Sequence, residues 1–413
     1  MKNKCFMKLH LISHAAVIVC LLFILFLTMM VQWQITATGA AFSANGKYLF
    51  SMVLIAVAVL AAGIWSFRSQ ANMGGMICAL GILAAVGSSY QMIFPSSYST
   101  YLLSMLLSAA CAVFFYHFQR RVLQIPTSLF IALSALSIGL MLVLLKFGTV
   151  ENNALLGIKI IGGKFFRPAE FVKILVIYLG AHSYRNKLRQ SLFCFVSLVC
   201  CLLCVKCDDL GAAVIIFANF VILTYLLFDS RAFSTLVVVG AVIGLWVVLE
   251  FTGYGAHAKV RLQNLFHAME QMAGQQRGFL RAVIFGGFSG LGLGRTDLMS
   301  DIFAISTDGC LAGVMALYGV PMIFITMLAY GVLAVTPAFN RSLTPMGYLL
   351  LTQMTTYVFC HSFLSLAGAM DLAPFTGVAT AVVSVGINAF SAFGILVGLA
   401  AGSLHPANYN LKE

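Results

Sequence analysis

The sequence predicts an all-α integral membrane protein, a polytopic helical bundle of about twelve spans. Hydrophobic residues fill 61% of its 413 positions and charged residues only 9%, whereas soluble domains carry about 25% charged residues. Twelve apolar stretches approach the roughly 20 residues with which a helix crosses hydrocarbon. They run continuously instead of alternating, which excludes a membrane β-barrel. Helices also satisfy their own backbone groups, as lipid requires.

The stretches lie at 11–32, 49–66, 73–91, 101–116, 128–147, 168–182, 191–205, 211–228, 233–250, 311–334, 345–368 and 376–402. The first, 22 residues long, exceeds the 7–15 of a signal-peptide core and reads as a span. A small-x-small site around Ala37–Gly39 carries the competing reading of a cleaved leader. Lysine and arginine set the orientation, because positive loops stay in the cytoplasm. With Lys2, Lys4 and Lys8 inside, twelve spans also place Arg68, Arg120, Arg121, Arg185, Lys187, Arg189, Arg231, Arg341 and Lys412 inside. Both termini are therefore expected in the cytoplasm. On the outside, positive residues concentrate in two segments, 146–173 and 259–295.

Two other features receive bland readings. Most of the eleven cysteines fall inside predicted spans, five of them at 194–207, where cysteine acts as a small hydrophobe. The net charge of +12 is no nucleic-acid footprint, since there is no soluble domain to present a basic face.

Two connections break the pattern. Residues 148–167 form a polar approach to the helix at Pro168, and residues 251–308 form the longest gap between spans. Within that gap Leu262, Leu265, Phe266, Met269 and Met272 recur at helical spacing, as in a helix lying at the membrane interface. The run GGFSGLGLG at 286–294 follows no strand, so a nucleotide fingerprint fails its structural test. Close approach of backbone to a helix or ligand is the better reading of its glycines.

Ionisable groups in or beside spans are costly and mark candidate sites. Glu170 and Lys173 share one helix face at a spacing that lets them pair, either as a self-neutralised structural pair or as the lining of a polar cavity. Asp208 and Asp209 stand where an acid caps the following helix, and Asp371 reads as a loop or cap residue. Asp297, Asp301 and Asp308 close the long loop beside Arg295, downstream of Arg261, Arg277 and Arg281. That cluster is either a solvated surface or a general base beside cations that hold an anion.

Four runs carry a resemblance. FRPAEFVKILVIYLGAH (166–182) resembles F-Q-P-S-E-F-x-K followed by an apolar helix. DDLGAAVIIFANFVILTYLLF (208–228) resembles the P-D-L-G-T-A helix. QRGFLRAVIFGGFSGLGLG (276–294) is similar to a run ending in G-x-G-L-G, and APFTGVATAVVSVG (373–386) to P-x-T-G-V-x-L-P-F-x-S-Y-G. In this order they resemble the FtsW/RodA/SpoVE family of cell-wall polymerases. The resemblance covers about 73–403, ten spans. It divides the chain into a two-span extension (1–70), a ten-span core (71–405) containing the loop 251–308, and a cytoplasmic tail (406–413).

The resemblance implies a glycosyltransferase in the bacterial plasma membrane that polymerises lipid II, the undecaprenyl-pyrophosphate-linked disaccharide peptide. Its implied partners are membrane lipids and a class B penicillin-binding transpeptidase; no nucleic acid is implied. Asp301 becomes the catalytic base, with Asp297 the alternative if the motif is displaced. Glu170, Lys173, Arg261 and Arg281 become substrate-binding residues. A divalent cation could assist the diphosphate, although no ligand set specifies one. The chain departs from the family pattern at 153–159, where two arginines and a tryptophan are missing, and at Ser384, Val385, Gly386 and Ile387. These departures motivate a weakened scaffold for a transpeptidase as one alternative, beside a precursor flippase. Division, elongation and sporulation roles stay open.

Overall fold

The computed structural model describes residues 2–39, 45–68, 73–122, 124–151, 154–160, 165–251, 260, 274–300, 302, 304–339, 344–373 and 376–404. Among them, helices stand at all twelve predicted stretches. These are α1 (Lys2–Thr38), α2 (Asn45–Arg68), α3 (Gly74–Gln91), α4 (Pro95–Arg121), α5 (Thr127–Phe147), α6 (Pro168–Ala181), α7 (Lys187–Lys206), α8 (Leu210–Leu227) and α9 (Arg231–Phe251). After the long loop come α12 (Cys310–Phe339), α13 (Pro345–Ala369) and α14 (Ile387–Ser403). The loop itself contributes α10 (Gly274–Gly286), a 3-10 turn at Leu293–Arg295 and the single turn α11 (Asp297–Ser300). Eight of the helices have by themselves the length and apolarity to cross a membrane. The chain is an integral membrane protein.

One expectation is corrected. Apolarity starts the last span at 376, yet α14 begins at Ile387 and residues 376–386 are not helical. The bundle also carries a small antiparallel sheet, β1 (Thr149–Glu151), β2 (Ala154–Lys159) and β3 (Phe165–Phe166), in the order β1-β2-β3. The interface helix expected around 262–272 lies outside the described residues.

Helix packing follows membrane rules, in which small residues let backbones touch because lipid is as apolar as leucine. Gly394, Gly398 and Gly402 repeat every four residues along α14 and face α4 at the backbones of Ser108, Ala112 and Tyr116. A β-carbon at Gly402 would sit 2.8 Å from the Tyr116 carbonyl, and those at Gly394 and Gly398 would collide outright.

The glycine run is explained by a break in α12. Pro321 cannot leave the Leu317 carbonyl in an ordinary helical bond, and Gly319 takes φ +77° inside the helix. The backbone of the run fills the freed positions. Leu291 N donates to Ala316 O at 2.8 Å, Gly292 N to Leu317 O at 3.0 Å, and Val320 N to Phe288 O at 3.2 Å. Side chains at Gly286, Gly290 or Gly319 would strike the opposing backbone. The close approach read from the sequence is therefore made to a helix.

Candidate active site

Non-helical backbone at membrane depth survives only where protein groups satisfy it, and side chains of the surrounding helices bond four carbonyls within residues 376–386. His361 Nδ1 donates to Ala379 O at 3.0 Å. Tyr330 Oη donates to Ala381 O at 2.5 Å, and Tyr101 Oη to Val382 O at 3.0 Å. Gln91 Nε2 donates to Val383 O at 3.0 Å and to Ser306 O at 2.8 Å. Tyr90 Oη completes the link to the long loop by donating to Ile305 O at 2.8 Å. The C-terminal end of α3 thus ties two irregular segments together. Val382 is held at φ +71°, a strained position for a β-branched residue that costs on the order of 1–3 kcal/mol. Gly87 makes room for it, since a β-carbon there would lie 2.7 Å from Val382 O.

The start of α8 packs against the same segment. Asp209 caps this helix as expected, its Oδ1 accepting from Ala212 N at 3.0 Å. Two residues on, Gly211 sits where any side chain would strike Val378. The small sheet joins from the side: Leu155 N donates to Cys207 O at 2.9 Å, and Asn388 Nδ2 to Phe165 O at 2.8 Å. Burial pushes the Asp209 carboxyl above its ordinary range, against the lowering pull of the Ala212 amide and of Lys173.

Glu170 and Lys173 do pair, with Glu170 Oε2 and Lys173 Nζ 2.7 Å apart. Lys173 is only 2% exposed, too buried for a solvated surface pair. Its ammonium lies 3.3 Å from His361 Nε2 and 5.6 Å from the centre of the Tyr357 ring. A backbone carbonyl accepts only, so the bond to Ala379 O puts the histidine proton on Nδ1 and leaves Nε2 to accept from Lys173. A carboxylate, an ammonium and an imidazole thus form one chain ending on the unwound segment. Such a site can hold polar or anionic groups within an otherwise apolar bundle.

The other predicted residues distribute as follows. Asp301 and Arg261 lie outside the described residues. Asp297 opens α11, directly after the 3-10 turn, and its backbone is described. Arg281 is exposed on α10, a helix that reaches α13 through Gln276, whose Nε2 donates to Gly368 O at 3.2 Å and, just past that helix, to Asp371 Oδ1 at 2.8 Å. Asp308 approaches the unwound segment, its Oδ2 3.6 Å from where Gly377 would carry a β-carbon. His361, Gln91 and Tyr101 were missed by the sequence reading. His361 had a usable signal, being an ionisable residue within a predicted span; the two others had none. Among the described residues no three His, Cys, Asp or Glu side chains are placed to hold a metal ion. The ten cysteines whose side chains are described are free.

Comparison with known proteins adds a family to this geometry. The sequence pattern of the FtsW/RodA/SpoVE family, described as cell cycle proteins, matches residues 73–405. The probable peptidoglycan glycosyltransferase FtsW of Bacillus subtilis (strain 168) is 27% identical over 298 residues, covering 65% of this chain and 73% of its own. A chain from a peptidoglycan synthase complex, solved to show how polymerization and crosslinking are coordinated, superposes with TM-score 0.60 at 16% identity. That match covers 80% of this chain and 98% of the other. A mutant of the rod shape determining protein RodA of Thermus thermophilus superposes with TM-score 0.57 at 17% identity, covering 82% and 99%. At these identities the structures speak for the fold alone, while the matched pattern spans most of the sequence. The chain belongs to the FtsW/RodA/SpoVE family.

Proposed function

We propose that this chain is a peptidoglycan glycosyltransferase that polymerises lipid II at the outer face of a bacterial plasma membrane. The observation that carries the proposal is the buried Glu170–Lys173–His361 chain, hydrogen-bonded to the unwound segment that the end of the long loop also touches. The family assignment and the Bacillus subtilis relative support the same reaction, and they favour it over a precursor flippase.

In this reading the 4-hydroxyl oxygen of one lipid II disaccharide attacks the anomeric carbon of another. The hydroxyl proton passes to a loop carboxylate, Asp301, or Asp297 if the motif is displaced. The bond from the anomeric carbon to the diphosphate oxygen breaks, and its electron pair leaves with undecaprenyl diphosphate. Arg261 and Arg281 hold that diphosphate, and Glu170 and Lys173 line the polar cavity. An apolar groove of about 490 Å³ between α2, α3, α4 and α14 reaches Val382 in the unwound segment and offers a path for a polyprenyl tail.

The reading places both termini in the cytoplasm and residues 251–308 outside. It treats 1–70 as an addition to a core at 71–405 followed by a tail at 406–413, and it takes a class B transpeptidase as partner. A weakened scaffold for that transpeptidase is the second reading, favoured by β2, which holds Ala154–Lys159 where the family pattern carries two arginines and a tryptophan. Incubation of the purified chain with lipid II, alone and with a class B transpeptidase, tests the proposal. Glycan strands in either reaction support it; none in both leaves the scaffold.

A further inference from the structure

We propose that the N-terminal helix pair α1–α2 is a built-in brace for the loop that bears the candidate bases, with Thr38 its contact point. The proposal rests on the glycosyltransferase reading, and it concerns residues that the family pattern, beginning at 73, does not cover.

The pair is fixed to the core by polar bonds that apolar packing alone would not require. Ser51 of α2, Ser88 of α3 and Tyr98 of α4 form a closed triangle of hydroxyls, with separations of 2.5, 2.8 and 2.7 Å. All three are fully buried. Lys47 Nζ donates to Ser99 Oγ at 3.0 Å. Gln32 Nε2 donates to Asn45 Oδ1 at 2.8 Å and so ties the facing ends of α1 and α2. Deeper in the bundle, Cys20 of α1 and Val59 of α2 meet α3 at Gly81, where a β-carbon would come within 2.6 and 2.7 Å of them.

With the pair anchored this way, the last residue of α1 reaches the catalytic loop. Thr38 turns its hydroxyl back to Gln34 O at 2.7 Å and presents its methyl group to Gly294. A β-carbon on Gly294 would lie 3.1 Å from Thr38 Cγ2 and 3.6 Å from Thr38 Cβ. Gly294 is the middle residue of the 3-10 turn Leu293–Arg295, which leads directly into α11 and Asp297. The backbone just before this turn is bonded to α12 through Leu291 and Gly292. The turn is therefore pinched between α12 on one side and α1 on the other. A glycine-rich turn left unbraced samples many conformations, and a base misplaced by about 1 Å can cost about 100-fold in rate. Thr38 is a positioning residue, acting on the loop acids through the turn.

The test uses the full chain carrying Thr38→Cys and Gly294→Cys. The 3.6 Å between the Thr38 β-carbon and one placed on Gly294 falls inside the roughly 3.5–4.5 Å that a disulfide spans. Mild oxidation in membranes should give a 38–294 linkage, identified by peptide mass spectrometry against the variants that carry only one of the two introduced cysteines. The oxidised protein should polymerise lipid II several-fold faster than the same preparation after reduction, with KM unchanged. Gly294→Leu, which wedges the turn away from α1, should lower kcat about tenfold at unchanged KM. Absence of the linkage, or equal kcat in the oxidised and reduced states, overturns the proposal. An unmodified chain that makes no polymer, alone or with a class B transpeptidase, overturns the glycosyltransferase reading instead, and it does so whether or not the linkage forms.

Discussion

His361 joins Lys173 to the unwound segment, with its Nε2 3.3 Å from the Lys173 ammonium and its Nδ1 3.0 Å from the Ala379 carbonyl. The two ring nitrogens play opposite roles, one accepting and one donating, and a side chain lacking either role breaks the chain. His361→Phe keeps the bulk and loses both bonds. It should cost about 1–3 kcal/mol for the groups left unsatisfied and lower kcat more than it raises KM. His361→Gln can still donate and accept, and it should recover part of both losses. Thermal unfolding in detergent beside polymerisation rates measures the split; equal behaviour of the two variants would remove His361 from the account.

Glu170 and Lys173 pose the question of a structural against a functional pair. Removing one partner of a buried pair strands the other charge and costs about 3–5 kcal/mol. Glu170→Gln should thus destabilise the protein strongly, and so should Lys173→Met. The double variant, with no charge left stranded, should regain most of the lost stability. Activity should stay lost in all three if the pair serves substrate. A double variant that regains activity along with melting temperature would make the pair purely structural.

Asp209 separates capping from charge. Asparagine caps as well as aspartate, whereas alanine costs about 1 kcal/mol. Because burial raises this carboxyl, the folded state holds its proton more tightly than the unfolded chain. Stability from this group is therefore greatest at low pH and falls as pH rises through the raised value. Asp209→Asn should melt at or above wild type at neutral pH and lose that dependence; Asp209→Ala should melt below it. Melting curves across pH 4–8, a range of about the usual carboxylate shifts, distinguish them.

What the sequence made legible was whatever hydrophobic length and charge record directly. The spans at 73–91 and 345–368 differ from α3 and α13 by a residue or so at each end, because lipid imposes both the apolarity and the helix. The pairing of Glu170 with Lys173 was legible because it is local, three residues apart. The unwound stretch 376–386 was not. Its composition is apolar like any span, and the donors that let it leave the helix, Gln91, Tyr101, Tyr330 and His361, come from α3, α4, α12 and α13. The break at Gly319 was likewise hidden, although Pro321 two residues later signals it. The sheet at 149–166 lies in a short polar connection where alternation is too brief to read.

The most direct measurement is lipid II polymerisation by purified Asp301→Asn, run beside Asp297→Asn and the unmodified chain. Loss of a general base typically lowers rate by on the order of 10²–10⁴. Asp301→Asn should therefore make almost no glycan while it expresses and binds lipid II like the unmodified chain, and Asp297→Asn should remain active. An inactive Asp297→Asn beside an active Asp301→Asn would move the base to Asp297. Full activity in both variants would contradict the claim that a loop carboxylate is the base.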